Sequence, residues 1–491
     1  MKLSNTLYPF LFGLIGIFAF SPFSIKFLIF ISYIYLIKVI LYKERNALTK
    51  LFCWGLGHWG FGMSWLIVSI YYYGEVHLIA SLLIFSLLVI LLTFVFTIPL
   101  LLTNTLISSL KIKAKLTKII LVSGIFLLIE FSRYFFLNGV PWLIPGNIFL
   151  DTITQSTYSV FGVSFASLLI YLICSIIVQY NKSKITAIAL VFLFISLIPQ
   201  NSNIIINNGI FVTAIQPSSN PFLKYKKDYY QKIEKNLLTL INQSSQSSKL
   251  IVLPEAELPY HDKSEKFNSF LSKINNKEKL LLGTWHYDEN KLFNAFLNVK
   301  SDQVYKKIHL VPFGEYIPFR KYLSKIKSIQ NLIQFSDYTV GKNNDLMTMD
   351  TYKVGNGICL ESIYPNHYRQ VSLNGADFLS VTVNNAWFFK SSAAKKHLDM
   401  SIMRAAENNR YMVQAANTGI SAIVSNKGVV IEKSALNELK VLEDSIKVNL
   451  PLSFYTKFGD IIVIISGILI LICVLRVVFN KENLTTSHSL D

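Results

Sequence analysis

The stretch YKKIHLVPFGEYIP at 305–318 places Lys307 and His309 two residues apart in a run that turns apolar, then reaches Glu315 before a proline. Residues two apart share one face of an extended strand, so Lys307 and His309 are expected side by side, with Glu315 in the loop that follows. Alone, such a lysine is a surface charge. Two other strand ends change that reading. KLIVLPE at 249–255 puts a carboxylate, Glu255, directly after a buried strand and a proline that stops strand pairing; by itself it reads equally as a helix-capping acid. VGNGICLESIYP at 354–365 ends an apolar strand on a single thiol, Cys359, with Glu361 two residues on and expected on the same face. A lone buried cysteine is ordinarily inert. A thiol nucleophile, however, needs a base to take its proton and a cation or amide donors to hold the developing oxyanion. Glu, Lys and Cys, in that chain order and each at a strand end, supply these parts.

Outward from these motifs, IFVTAIQ at 210–216, KLLLGTWH at 279–286 and DFLSVTVNN at 377–385 read as further strands. Polar amphipathic stretches at 222–243, 262–275 and 391–410 read as the helices between them, which makes 205–455 an α/β layered domain. There is no internal repeat and no low-complexity segment.

The rest of the chain is built for lipid. Of 491 residues, 52% are hydrophobic and only 15% charged, against about 25% for a soluble globular domain, so a purely soluble enzyme is excluded. Spans of about 20 apolar residues can cross a bilayer. Eight such runs lie near 7–23, 27–42, 51–73, 76–102, 116–138, 158–180, 185–199 and 458–479. The expected organisation is a polytopic α-helical membrane bundle of seven helices in 1–204, the α/β domain in 205–455, an eighth helix in 456–480, and a Ser-, Thr- and Asn-containing tail, 481–491, that reads as disordered. Only Lys2 precedes the first run and no small-residue cleavage site follows it, so that run reads as a retained anchor.

Basic residues gather at Lys43, Arg45 and Lys50, at Lys111 to Lys118, at Lys182 and Lys184, and at Arg476 and Lys481, while the alternate loops around 72–76 and 139–157 carry none. The positive-inside rule then puts both termini in the cytoplasm and 205–455 outside it. The net charge of +18 comes without an extended basic block or a nucleic-acid module, so anionic lipid is the fitting partner and nucleic acid is not. Cys53, Cys174, Cys359 and Cys473 lie too far apart for a disulfide framework or a metal-ligand spacing.

Three features of the apolar half have two readings each. Glu130 and Arg133 interrupt the fifth run and form either a polar groove for a lipid headgroup or a structural pair one helical turn apart. In GLGHWGFGMSW at 55–65, close helix packing accounts for the glycines and for His58. Phe319, Tyr322, Leu323, Ile326, Ile329 and Ile333 recur at helical spacing among Arg320, Lys321, Lys325 and Lys327, the pattern of an interfacial helix or of an amphipathic helix packed on the α/β domain.

The string YxKxHLVPFGE, with Glu255 before it and Cys359 after it, resembles the carbon-nitrogen hydrolase (nitrilase) superfamily, whose Glu-Lys-Cys triad sits in an α-β-β-α sandwich; Glu255, Lys307 and Cys359 match its triad positions. With helices on both sides, and FAFSPF at 18–23, GFGMSW at 60–65 and GVPWLIPGN at 139–147, the whole chain resembles the apolipoprotein N-acyltransferase family of the bacterial cell envelope. That resemblance implies an enzyme of the inner membrane with its catalytic domain on the periplasmic side. It moves an acyl chain from a phospholipid, through a thioester on the cysteine, to the amino group of a diacylated apolipoprotein, without metal or cofactor. Glu255 would act as general base, Lys307 as oxyanion stabiliser and Cys359 as nucleophile. Glu315, Glu361 and Trp387 match the family's supporting positions, whereas Leu360 stands where the family often has an aromatic residue. The competing enzyme reading is a membrane-anchored nitrilase-type amidase acting on small amides outside the cytoplasm. A transporter or inert scaffold is disfavoured because no paired halves are apparent and the Glu-Lys-Cys set is present.

Overall fold

The computed structural model describes residues 3–42, 44–74, 76–135, 139–200, 209–318, 320–323, 325, 337–388 and 390–487. The chain forms two compact units, one of residues 1–136, 140–201 and 458–491, the other of 137–139 and 202–457.

The first unit is helical. Helices Leu3–Ile17, Leu28–Leu41, Ala47–Gly62, Leu78–Ser109, Lys115–Ser132, Tyr158–Gln179, Lys184–Ser196 and Ile461–Ser487 each overlap one of the eight apolar runs. Among the described residues, however, only Leu78–Ser109, Ile153–Gln179 and Ile461–Phe479 are long and apolar enough to cross a membrane by length and composition. Ala47–Gly62 with Trp65–Tyr72, bent by 51°, makes a fourth if it counts as one span. The difference from eight uniform spans is one of length. Leu28–Leu41 has 14 residues, a rise of about 21 Å against a hydrocarbon core of about 30 Å. The first run likewise stops being helical at Ile17 and continues through turns to Phe23. At the other end, the last helix runs on to Ser487, past the point where composition predicted a disordered tail. Once a span is nucleated each further residue adds a hydrogen bond, and no Gly or Pro lies there to stop it.

Small residues form a seam between the first and third helices. A Cβ on Gly13 would lie 2.0 Å from the Trp54 carbonyl oxygen, and one on Gly57 would lie 2.2 Å from that of Phe10, so the two backbones meet where only glycine fits. His58 is buried beside this seam and stacks on Trp54 with ring centroids 4.7 Å apart.

The second unit is a sandwich of two six-stranded sheets. Its strands are β1 (Ile210–Gln216), β2 (Leu250–Val252), β3 (Leu280–Asp288), β4 (Lys291–Asn298), β5 (Gln303–Lys306), β6 (Met347–Met349), β7 (Tyr352–Ile358), β8 (Phe378–Val383), β9 (Met412–Ala416), β10 (Ala422–Val424), β11 (Val430–Lys433) and β12 (Lys440–Ile446). The sheet orders are β12-β1-β2-β3-β4-β5 and β11-β10-β9-β8-β7-β6. Each has a parallel centre, β1-β2-β3 in one and β7-β8-β9 in the other, flanked by antiparallel strands. Parallel strands are covered on both faces, and β2 and β8 are buried along their whole length. Helices Lys227–Gln243 and Glu265–Ser272 cover the outer face of the first sheet, packing Ile233, Leu237, Phe267 and Phe270 on Ile215, Ile251 and Leu282. Helices Pro365–Leu373 and Ala393–Asn408 pack on β7 and β9 of the second. Between the sheets, Thr382 Oγ1 donates to the Leu253 carbonyl at 3.0 Å.

Two expectations for the strand ends are corrected. β5 stops at Lys306, so Lys307 and His309 stand beyond the strand instead of on one of its faces. β7 stops at Ile358, and Cys359 opens a short 3₁₀ turn, Cys359–Ile363, which removes the strand alternation that would put Glu361 beside the thiol. Next to both strand ends the Glu361 carboxylate takes backbone hydrogens, from Ile308 and His309 after β5 and from Ile358 at the end of β7. Of the basic-apolar segment 319–333, Arg320–Leu323 forms one helical turn, while Phe319, Ile326, Lys327, Ile329 and Ile333 lie outside the described residues.

Gly283 on β3 lies against the backbone of the turn that carries Glu255. A Cβ there would lie 2.5 Å from Glu255 Cα and 2.7 Å from the Pro254 carbonyl oxygen, both backbone atoms that cannot swing away. Gly283→Ala is therefore expected to destabilise the protein by about 1–3 kcal/mol, the usual cost of overpacking. Thermal unfolding of the full-length chain tests this, and an unchanged midpoint would refute it.

Candidate active site

Glu255, Lys307 and Cys359, each 52 residues of chain from the next, meet at one end of the sandwich. Glu255 follows β2, Cys359 follows β7 and Asn384 follows β8, the carboxyl ends of parallel strands where α/β folds leave a crevice. Lys307 comes in just past β5. All three side chains are buried: Glu255 is 5% exposed, Lys307 1% and Cys359 8%.

A buried ammonium must be compensated on the spot. Lys307 Nζ donates to Glu255 Oε1 at 3.2 Å and to Glu315 Oε1 at 2.8 Å. Asn294, inside β4, donates one amide hydrogen to Glu255 Oε1 at 2.7 Å and the other to Glu315 Oε1 at 2.6 Å. The second oxygens are held from the backbone, Glu255 Oε2 by Asn384 N–H at 2.7 Å and Glu315 Oε2 by Val311 N–H at 2.8 Å. The Cys359 side chain also hydrogen-bonds Glu255. The Glu255 turn is held from behind by Lys224, itself buried, whose Nζ donates to the carbonyl of Ala256.

These contacts set the protons. Burial alone would raise the Glu255 carboxyl, but the Lys307 charge and the hydrogen bonds from Asn294 and Cys359 outweigh it and hold Glu255 below the usual carboxylate range. Burial works against the Lys307 ammonium too, yet Glu255 and Glu315 hold it well above its ordinary value. Burial pushes the Cys359 thiol well above its usual range, Glu255 adds to this, and Lys307 opposes it. The resting site is thus a neutral thiol touching an ionised carboxylate beside a fixed ammonium. Such a set can move a proton from sulfur to oxygen as sulfur attacks a carbonyl, and can neutralise the anion that results.

Glu361 faces away from the thiol. Its Oε1 accepts from Ile308 N–H at 2.7 Å and His309 N–H at 3.1 Å, its Oε2 accepts from Ile358 N–H at 2.7 Å, and Tyr305 OH lies 2.9 Å from both. It ties the chain carrying Lys307 to the chain carrying Cys359. His309 stacks on Tyr364, with centroids 4.0 Å apart. Trp387 lies in the 3₁₀ turn Asn385–Phe388 after β8 and is 40% exposed.

Glu130 and Arg133 belong to the helical unit and are enclosed in it, 2% and 3% exposed. Tyr171 OH donates to Glu130 at 2.6 Å. Arg133 donates to the Trp142 carbonyl at 2.7 Å and lies 4.9 Å from the centre of the Trp59 ring. Internal partners of this kind fit a structural tie and not an open headgroup groove. Among the described residues no group of three His, Cys, Asp or Glu side chains could hold a metal ion.

Asn294, Asn384 and Lys224 are site residues that the sequence motifs missed. Asn294 alone left a signal, a polar residue inside the otherwise apolar LFNAFL of 292–297. The others are ordinary in their local sequence.

Residues 12–176 match the apolipoprotein N-acyltransferase N-terminal domain, and residues 211–450 match the carbon-nitrogen hydrolase family. The apolipoprotein N-acyltransferase of Haemophilus ducreyi is 30% identical over 480 residues, covering 91% of this chain and 92% of that one. That of Haemophilus influenzae is 29% identical over 451 residues, covering 86% and 85%. Among solved structures, a carbon-nitrogen hydrolase from Helicobacter pylori is 17% identical, with a TM-score of 0.37, covering 49% of this chain and 90% of that one. With both halves matched and the likeness running nearly end to end, the chain belongs to the apolipoprotein N-acyltransferase family.

Proposed function

We propose that this protein transfers a fatty acyl chain from a phospholipid to the α-amino group of a diacylglyceryl-cysteine at the N-terminus of apolipoproteins, by way of a thioester on Cys359. The observation that carries the reading is the buried thiol hydrogen-bonded to a carboxylate that Lys307 keeps ionised, in a chain whose other unit is apolar helix. The loop charges favour eight crossings, both termini in the cytoplasm and the α/β unit on the periplasmic side of a bacterial inner membrane. The shorter helices would be accommodated by local thinning of the bilayer.

In the first half-reaction Glu255 takes the thiol proton as Cys359 Sγ attacks the ester carbonyl of the donor. Lys307, whose charge Glu315 and Asn294 help to fix, neutralises the tetrahedral oxyanion together with backbone amides. Collapse breaks the ester C–O bond, and the proton on Glu255 leaves with the lysophospholipid oxygen. In the second half-reaction the neutral amine attacks the thioester, Glu255 accepts the proton the nitrogen must lose, and that proton returns to the departing sulfur. Double displacement of this kind requires the acyl-enzyme to survive between substrates. Burial of the thiol and its partners limits water at the thioester. Glu361 supports the geometry by holding the Lys307 and Cys359 segments together, and Trp387, exposed on the turn after β8, is the residue proposed to contact acyl chains.

Incubating the purified protein with labelled phospholipid should give an acyl adduct by intact mass, absent in Cys359→Ala. Glu255→Gln should load at least about 100-fold more slowly, the lower range for loss of a general base. An adduct that passes to the amine of a diacylated peptide supports the transferase; free fatty acid without amide would favour the amidase reading and overturn this one.

The two half-reactions should separate with pH. Because Glu255 is held low and the thiol high, loading should stay level across the neutral range and fall on the acid side only below the usual carboxylate range. Transfer should rise with pH until the acceptor amine is neutral, near about 8. Asn294→Leu removes a donor from both carboxylates, so its acid limb should move to higher pH. A limb that stays in place would show that Asn294 does not tune Glu255.

A further inference from the structure

Cys359 carries φ +49°, a left-handed backbone in a residue other than glycine. Such a conformation persists only where its surroundings hold it. The holder is His397, on helix Ala393–Asn408 and 1% exposed, whose Nε2 lies 3.0 Å from the Cys359 carbonyl oxygen. Its other nitrogen, Nδ1, lies 2.9 Å from Asn385 Oδ1. Asn385 cannot easily retreat, since a Cβ on the neighbouring Gly419 would lie 2.4 Å from its Nδ2. Burial lowers the His397 pKa to about 4, so the ring is neutral in the physiological range and has one N–H to give. The carbonyl can only accept, so that N–H is on Nε2; Nδ1 then accepts from Asn385 once its amide is turned to bring Nδ2, the atom otherwise without a partner, to face the ring. The thiol has other partners, Glu255 and the Asn384 backbone.

The peptide joining Cys359 to Leu360 is planar, so its carbonyl and its N–H leave opposite edges of one plane. Gripping the carbonyl therefore fixes the direction of the Leu360 N–H. We propose that His397 is a positioning residue: held by Asn385, it locks the peptide after the nucleophile so that the Leu360 N–H joins Lys307 in holding the oxyanion. The inference rests on the acyl-transfer reading above. It assigns the backbone half of oxyanion stabilisation to a side chain that touches neither substrate nor sulfur.

The test compares two rates in full-length protein reconstituted with labelled phospholipid: acyl loading of Cys359, and alkylation of the same thiol by iodoacetamide, which forms no oxyanion. His397→Leu should lower loading about 100-fold, the scale for loss of one oxyanion donor, and leave alkylation unchanged. His397→Gln, whose amide can still donate to the carbonyl, should recover most of the loading. Wild-type loading in His397→Leu overturns the proposal, and so does a parallel fall in loading and alkylation, which marks a merely structural role. Should His397→Leu not fold, Asn385→Ala replaces it: slower loading with unchanged alkylation supports the proposal, and unchanged loading sinks it. Absence of loading in the wild type would instead remove the acyl-transfer reading itself.

Discussion

A lysine ammonium with almost no exposure organises this molecule. Lys307 cannot be stable inside the sandwich unless negative charge reaches it, and two carboxylates do so from different places, Glu255 at 3.2 Å and Glu315 at 2.8 Å. Two carboxylates that close would repel one another, and the Asn294 amide between them relieves this by giving a hydrogen to each. What results is a directed field as well as a stable core. The carboxylate nearest the sulfur is kept ionised, the thiol is kept neutral, and the positive charge stays where a tetrahedral anion can use it.

That arrangement depends on two sheets ending at the same level. Glu255 comes from the parallel centre of the first sheet, and Cys359 and Asn384 come from that of the second. Short distances between side chains from separate sheets demand that the loops themselves be rigid. Glu361 supplies part of this by taking backbone hydrogens on both sides of the gap, and Gly283 supplies another part by letting β3 approach the Glu255 backbone. Polar groups whose hydrogen bonds are all internal cannot drift without losing them, which is how a buried network specifies one geometry.

The helical unit follows a different solvent but the same accounting. Its glycines let backbones meet, and its buried charges, Glu130 and Arg133, find a hydroxyl, a carbonyl and an indole face inside the unit. Variation in helix length, from 13 residues in Lys184–Ser196 to 32 in Leu78–Ser109, means that these helices are not interchangeable rods.

The sequence by itself determined the division into apolar helices and an α/β domain, because apolar run length and strand alternation are local properties of the chain. It also determined Glu255, Lys307 and Cys359 as candidates, because each stands at the end of a recognisable strand. Tertiary structure alone decided how these residues are held. Asn294 lies 39 residues from Glu255 and Asn384 lies 129 from it, separations at which no periodicity carries information. Strand alternation makes Glu361 a neighbour of the thiol only if it continues three residues past Ile358; in the fold the strand ends there and the Glu361 carboxylate takes backbone hydrogens instead. His397 sits in an amphipathic helix like any other polar residue, and only the packing of that helix on β9 puts its ring against the nucleophile's carbonyl. Hydrophobic patterning is read along the chain, whereas hydrogen-bond partners are chosen by proximity after the chain has folded.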